Sequence, residues 1–194
     1  QEGAEGDPVK PYPKRVKYLD PKEAEAAVAE VVAAAHEADV DIALIGGLAM
    51  QTYGSDRLTA DVDFVVDREE DLGLSEMGKL GIGGYYGKAS NGVQVDVVCR
   101  QGDYAMLYAN ACHNAQEIGG VKVVSPEDLA VMKFESRRMK GRAGKDGQAL
   151  EFLINSDLLD LEQVRRLLKK YLGVYAVTDF DRLYEETRWN AGRP

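Results

Sequence analysis

The chain has 194 residues, of which 45% are hydrophobic and 29% charged, and carries a formal charge of −9. That length suits one mid-sized domain, or a core with a helical appendage, and the acidity argues against a general nucleic-acid coat, whose affinity comes from neutralising phosphates. No apolar run reaches the roughly 18 residues of a membrane span, and Cys99 and Cys112, with only His36 and His113 beside them, make neither a disulfide framework nor a zinc spacing.

Residues 1–19 are polar, carry Pro8, Pro11 and Pro13, and read as a flexible lead-in without a secretory leader. Reduced thiols and a cytoplasmic location are expected. Asp20-Pro21-Lys22-Glu23 then starts a helix, with Asp as N-cap, Pro at the first position and Glu at the capping-box position. Ala24, Ala27, Val28, Val31, Val32 and Ala35 follow at helical spacing to about Ala38. Asp41 to Ile45 reads as a short strand ending at Gly46-Gly47, and Leu48 to Tyr53 as the next helix.

The second strand is Asp61 to Val66. A polar stretch follows through Glu76, then Gly83-Gly84-Tyr85-Tyr86-Gly87, which resembles hairpin or edge-strand material. Val93 to Val98 alternates again, with Val93, Val95 and Val97 on one face and Gln94 and Asp96 on the other. A helix around Tyr104 to Ala111 and a strand around Val121 to Val124 complete a mixed α/β part, 20–124. From 125 onward the pattern is helical. Ser125 caps one helix with Pro126 at its first position, and others lie near Asp146 to Ile154, Leu161 to Leu172 and Asp179 to Trp189. The predicted class is therefore α/β (α+β), a mixed-sheet core with a helical C-terminal portion, 125–194.

The chemistry concentrates around two carboxylates. A strand puts residues i and i+2 on one face, so Asp61 and Asp63 point together while Val62, Phe64 and Val66 point to a core. Held roughly 6–7 Å apart, the two repel by about 2–3 kcal/mol at an effective dielectric near 20. A bound divalent cation would remove that cost. Asp96 supplies a third carboxylate if its strand lies beside Asp61 to Val66; alone, it equally fits a polar position on a half-buried strand.

Gly46-Gly47, the helix-length interval to Asp61 and the Asp61-x-Asp63 strand together resemble the signature of the nucleotidyltransferase fold, the DNA polymerase β-like superfamily. That resemblance implies a nucleotidyltransferase core in which Asp61, Asp63 and Asp96 are catalytic and hold two Mg²⁺ ions, or Mn²⁺, roughly 3.5–4 Å apart. It also implies that Gly46 and Gly47 sit against the triphosphate of a nucleotide such as ATP, although taken alone the pair fits an ordinary strand-to-helix turn. Arg57 and Thr59 lie just ahead of Asp61, as phosphate contacts, braces of the turn or solvated loop residues.

Further on, Ser125-Pro126-Glu127-Asp128-Leu129, Met132-Lys133-Phe134 and Lys145-Asp146 are similar to the C-terminal motifs of the AbiEii/MenT-type toxin nucleotidyltransferases. This implies that Lys133 contacts triphosphate and Asp146 supports it; by residue type alone a helix lysine is a solvated residue. The likeness spans roughly 42–150, with two departures. Many members have serine where this chain has Gly47, and an aspartate where it has Ala149.

The implied activity is metal-dependent transfer of a nucleoside monophosphate to an acceptor hydroxyl, releasing pyrophosphate. A tRNA 3′ end in a toxin–antitoxin or phage-defence setting, a protein hydroxyl and an aminoglycoside-like small molecule are the acceptors, and an antitoxin is an implied partner of the first. The basic run Arg137, Arg138, Lys140, Arg142 and Lys145 is either a solvated face or, through Arg137, Arg138 and Lys140, a contact to tRNA. A non-catalytic nucleotide-binding regulatory protein is the rival reading, against which the three aspartates speak. Cys112-His113 lacks the geometry and accessory groups of a nucleophile–base pair, and Arg165, Arg166, Lys169 and Lys170 fit a helix's polar side.

Overall fold

The structure, a computed structural model, describes residues 17–139 and 143–193. Most of the predicted lead-in, and Lys140 and Arg142 of the basic run, lie outside those residues. Helix α1, Pro21–Glu37, begins as expected: the Asp20 carboxylate accepts from the backbone N–H of Lys22 and Glu23, and Ala24, Ala27, Val28, Val31 and Ala35 are buried. Strand β1, Ile42–Ile45, runs directly into α2, Gly46–Thr52. The helix therefore starts at the glycine pair, two residues before the expected Leu48.

The remaining strands are β2, Val62–Val66; β3, Ser75–Lys79; β4, Gly84–Lys88; β5, Gln94–Val98; β6, Gln116–Ile118; and β7, Val121–Val123. Between β5 and β6 a short 3₁₀ turn, Gly102–Tyr104, leads into α3, Ala105–His113. Among the described residues these strands form one mixed sheet in the order β3-β4-β5-β2-β1-β7-β6. β2 pairs antiparallel with β1 and parallel with β5, and β1 pairs parallel with β7. The tyrosine-bearing β4 is not an edge strand but lies between β3 and β5. The true edges are β3 and β6, whose exposed and partly polar residues give them no strand signature.

Four helices complete the chain: α4, Pro126–Ser136; α5, Ala143–Asn155; α6, Leu161–Tyr171; and α7, Val174–Asn190. α7 starts five residues before the expected Asp179, directly after Gly173, whose φ of 92° turns the chain out of α6 and which gives α7 no side-chain cap. The helices pack on one another and α4 also meets α3. Phe134 of α4, Leu150 and Leu153 of α5, Leu168 of α6 and Phe180 of α7 are buried in the same core as Val62, Phe64, Val95 and Val97 of the sheet. Phe134 and Phe180 meet edge to face, with ring centroids 5.7 Å apart.

Sheet and C-terminal helices thus share one continuous apolar interior, and unfolding of one exposes the other. Phe134→Ala is expected to destabilise the protein by about 3–5 kcal/mol, in a single transition seen equally by far-ultraviolet circular dichroism and by amide hydrogen exchange of the sheet during urea unfolding. Two separated transitions, with only the helical signal displaced, would show independent parts.

Candidate active site

The register of the central strands builds the site. Ile45 of β1 lies opposite Asp63 of β2, and Asp63 lies opposite Asp96 of β5. Asp61 immediately precedes β2. One carboxylate oxygen from each of Asp61, Asp63 and Asp96 falls within 4.8 Å of the others. Asp61 and Asp96 are buried, while Val62, Phe64 and Val66 turn the other way into the core. The alternation read from the sequence therefore delivers the carboxylates to one point.

Two neighbours hold them in place. The Thr59 hydroxyl donates to Asp61 Oδ1 at 3.0 Å, and the Gln94 amide donates to Asp96 Oδ1 at 3.2 Å. Gly46 makes room for the third. It has a φ of 67°, and a Cβ there would stand 2.0 Å from Asp63 Oδ2. Any side chain at Gly46 would need both a strained backbone and a displaced carboxylate.

Crowding raises the Asp63 carboxyl to about 7: burial contributes most, followed by the charges of Asp61 and Asp96, against opposing contributions from Lys145 and Lys133. Carboxylate oxygens are hard donors, which suits Mg²⁺ or Mn²⁺. The three residues could hold a metal ion, and the positive charge would reverse the electrostatics that raise Asp63.

The triad opens into a cleft of about 600 Å³ between the sheet and the C-terminal helices. Gly46, Gly47, Lys133 and Asp146 line this cleft with the three aspartates. Lys133 projects from α4 and donates to Asp146 Oδ1 at 2.9 Å; the buried Ser136 hydroxyl donates to Asp146 Oδ2, also at 2.9 Å. Asp146, only 1% exposed, thereby fixes the lysine ammonium from below.

Arg57 and Thr59, which the sequence sets just ahead of Asp61, also line the cleft, as do Lys145 and Ser136, the last with no site signal in the sequence. Lys145 sits on the rim and Arg57, whose guanidinium donates to the Lys145 carbonyl at 3.2 Å, ties the loop before β2 to α5. Thr59 and Ser136 act through carboxylates; Thr59 braces Asp61 from two residues away, whereas the spacing of Ser136 from Asp146 does not mark its role.

The basic run divides: Lys145 lines the cleft, while Arg137 and Arg138 do not. Arg137 stacks over the Phe134 ring at 4.2 Å, and Arg138 pairs with Asp179 at 3.8 Å. Cys112 is buried with its thiol pushed up to about 12, first by burial, and His113 instead contacts Asp41 at 2.9 Å. The pair forms no nucleophile and base.

No protein-family model and no curated protein sequence matches the chain. Among solved structures it is similar to the antibiotic-resistance factor ANT(2'')-Ia, at 16% identity and a TM-score of 0.50, over 84% of this chain and 98% of that one. It also overlaps an antigenic nucleotidyltransferase-like protein from Paracoccidioides brasiliensis, at 18% identity and a TM-score of 0.49, over 87% of this chain and 95% of that one. The mixed seven-stranded sheet of the described residues, with its helical C-terminal part, is a fold shared with ANT(2'')-Ia. No described helix is long and apolar enough to cross a membrane.

The raised Asp63 carboxyl has a consequence for stability. The folded group keeps its proton to about pH 7 while the unfolded one releases it near 3.8, so the folded state binds the extra proton between those values. Its contribution is present at low pH and lost as pH rises through 7. In chelator, Tm of the parent should fall more steeply from pH 5 to 8 than that of Asp63→Asn, and millimolar Mg²⁺ should remove the difference. Parallel profiles in chelator would refute the electrostatic origin.

Proposed function

We propose that this protein transfers a nucleoside monophosphate from a nucleoside triphosphate to an acceptor hydroxyl. The observation that carries the reading is the convergence of three carboxylates within 4.8 Å at the floor of a cleft that also holds Lys133 and the glycine pair. A binding module has no need to maintain such repulsion; a phosphoryl-transfer site does, because divalent cations bind there.

In this reaction the acceptor oxygen bonds to the α-phosphorus, the bond from that phosphorus to the bridging oxygen breaks, and pyrophosphate leaves. Asp61, Asp63 and Asp96 would hold Mg²⁺, two ions in the full reading. When bound, the cations lower the pKa of the acceptor hydroxyl and neutralise charge on the triphosphate and the leaving pyrophosphate. Asp96 accepts the hydroxyl proton. Gly46 and Gly47 allow close approach of the phosphates, and Lys133, held by Asp146, meets their oxygens with Lys145 at the rim. The walls of the cleft keep bulk water from competing as acceptor.

The acceptor defines two readings. The likeness of the Lys133 to Asp146 segment to AbiEii/MenT-type enzymes favours an RNA 3′ hydroxyl, with a tRNA as substrate and an antitoxin as partner. Arg137 and Arg138 would then meet the RNA backbone beyond the cleft, joined in sequence by Lys140. A small hydroxylated molecule is favoured by the cleft of about 600 Å³, by the charge of −9 and by the fold shared with an antibiotic-resistance factor. Incubation with each labelled nucleoside triphosphate and Mg²⁺, in the presence of total RNA or of candidate small acceptors, separates them by which fraction gains label. RNA binding that fails to weaken with salt, or is unchanged in Arg137→Ala/Arg138→Ala, would remove the RNA reading.

Asp63→Ala is expected to leave the fold intact and abolish transfer; activity within a few-fold of the parent would refute the metal-dependent reading. For the triphosphate, Lys133→Ala alone would strand the buried Asp146 without its cation. The cleaner variant is Lys133→Met with Asp146→Asn, which removes both charges. It should weaken binding of a non-hydrolysable triphosphate about tenfold or more while leaving Mn²⁺ binding in place. Unchanged affinity by calorimetry would return Lys133 to an ordinary structural role.

A further inference from the structure

The second glycine of the pair has a different reason to lack a side chain from the first. Gly47 does not have a left-handed φ, so its backbone would accept any L-residue. Space forbids one: a Cβ on Gly47 would stand 2.5 Å from Thr59 Cβ and 2.6 Å from Thr59 Oγ1. Both atoms belong to a side chain that is itself committed. Thr59 Oγ1 lies 3.0 Å from Asp61 Oδ1 and 3.1 Å from the Asp61 carbonyl oxygen, and the Thr59 carbonyl accepts from Leu19 N–H at 2.9 Å. Thr59 is pinned by its backbone on one side and engaged with the first carboxylate of the triad on the other, and Gly47 is the hole it fills.

From this packing we infer that Thr59 is a positioning residue for the metal-binding carboxylates, and that Gly47 is required here because Thr59 occupies the volume a side chain would take. Gly46 and Gly47 then have complementary roles, the first clearing space for Asp63 and the second for the residue that orients Asp61. A side chain at 47, such as the serine found in many nucleotidyltransferases, is compatible with this chain only if position 59 gives up its Cβ. The hydroxyl of Thr59 fixes one Asp61 oxygen at a distance that suits a hydrogen bond, which narrows the rotamers available to the carboxylate before any cation arrives. The inference rests on the cation-binding reading of the triad.

Two arms test it. Calorimetric titration with Mn²⁺ compares the parent, Thr59→Ser and Thr59→Ala. Thr59→Ser keeps the hydroxyl and should bind within about twofold of the parent, whereas Thr59→Ala should bind about three- to tenfold more weakly, the loss of one hydrogen bond of ordinary strength. A purely structural role would shift urea midpoints without moving Mn²⁺ affinity. The second arm, in chelator, measures urea unfolding of Gly47→Ala in three backgrounds. Its loss should be large in the parent, little relieved by Thr59→Ala, whose Cβ remains, and reduced to less than half by Thr59→Gly. Equal Mn²⁺ affinity in Thr59→Ala and the parent, or equal losses in all three backgrounds, would overturn the inference. A parent that takes no Mn²⁺ would overturn the cation reading together with it, whereas a parent that binds Mn²⁺ and ignores Thr59 would overturn this inference alone.

Discussion

Three carboxylates brought within 4.8 Å of one another, two of them buried, are unfavourable twice over: each loses hydration, and each repels the others. Burial and then the charges of Asp61 and Asp96 raise the Asp63 carboxyl to about 7, which reflects that cost. Much of the surrounding architecture holds the carboxylates in place in spite of it. The Ile45–Asp63–Asp96 register sets the carboxylate spacing, Gly46 leaves a gap for Asp63, and Thr59 and Gln94 each tie down one oxygen. Lys145 and Lys133 moderate the charge at Asp63, and Lys133 is itself engaged by Asp146.

This explains why the sheet and the C-terminal helices must share a core. Asp63 and Asp96 belong to β2 and β5 with Asp61 immediately before β2, the lysines belong to α4 and α5, and the cleft between them is only as well defined as the contact of these layers. Phe134, Phe180 and Leu150 supply that contact in continuity with the strand valines. Arg57 adds a polar tie from the loop before β2 to the first turn of α5. At the base of α4, the buried Arg100–Glu135 ion pair, 3.0 Å apart, joins the chain just after β5 to the helix that carries Lys133. Removing one partner would leave the other charge buried, so this contact specifies geometry more than it adds stability.

The elements that depend on local pattern are legible in the sequence. The Asp20-Pro21 start of α1, the alternation of β2 and β5 and the Ser125-Pro126 start of α4 each carry their signal within a few residues. Asp61, Asp63 and Asp96 are legible as candidates for the same reason, because period two sets each of them against valine or phenylalanine neighbours that face the core. What local pattern cannot convey is partnership. The parallel β2–β5 pairing, the burial of β4 between two strands and the Ser136–Asp146 hydrogen bond join residues whose proximity follows from the fold. β3 and β6 are hard to see in the sequence because edge strands with exposed residues such as Glu76, Met77 and Glu117 resemble loops. The early start of α2 is masked by glycines, whose presence normally argues against a helix and here reflects the space needed by Asp63 and Thr59.

The claim on which the function stands is that the triad is a divalent-cation site facing a bound triphosphate. Anomalous diffraction from crystals grown with Mn²⁺ and a non-hydrolysable nucleoside triphosphate measures this directly. Manganese density bounded by Asp61, Asp63 and Asp96, with phosphate oxygens completing its coordination and Lys133 against the phosphate chain, is the predicted result. Triphosphate bound elsewhere, or seated in the cleft with no anomalous density at the triad, would contradict it.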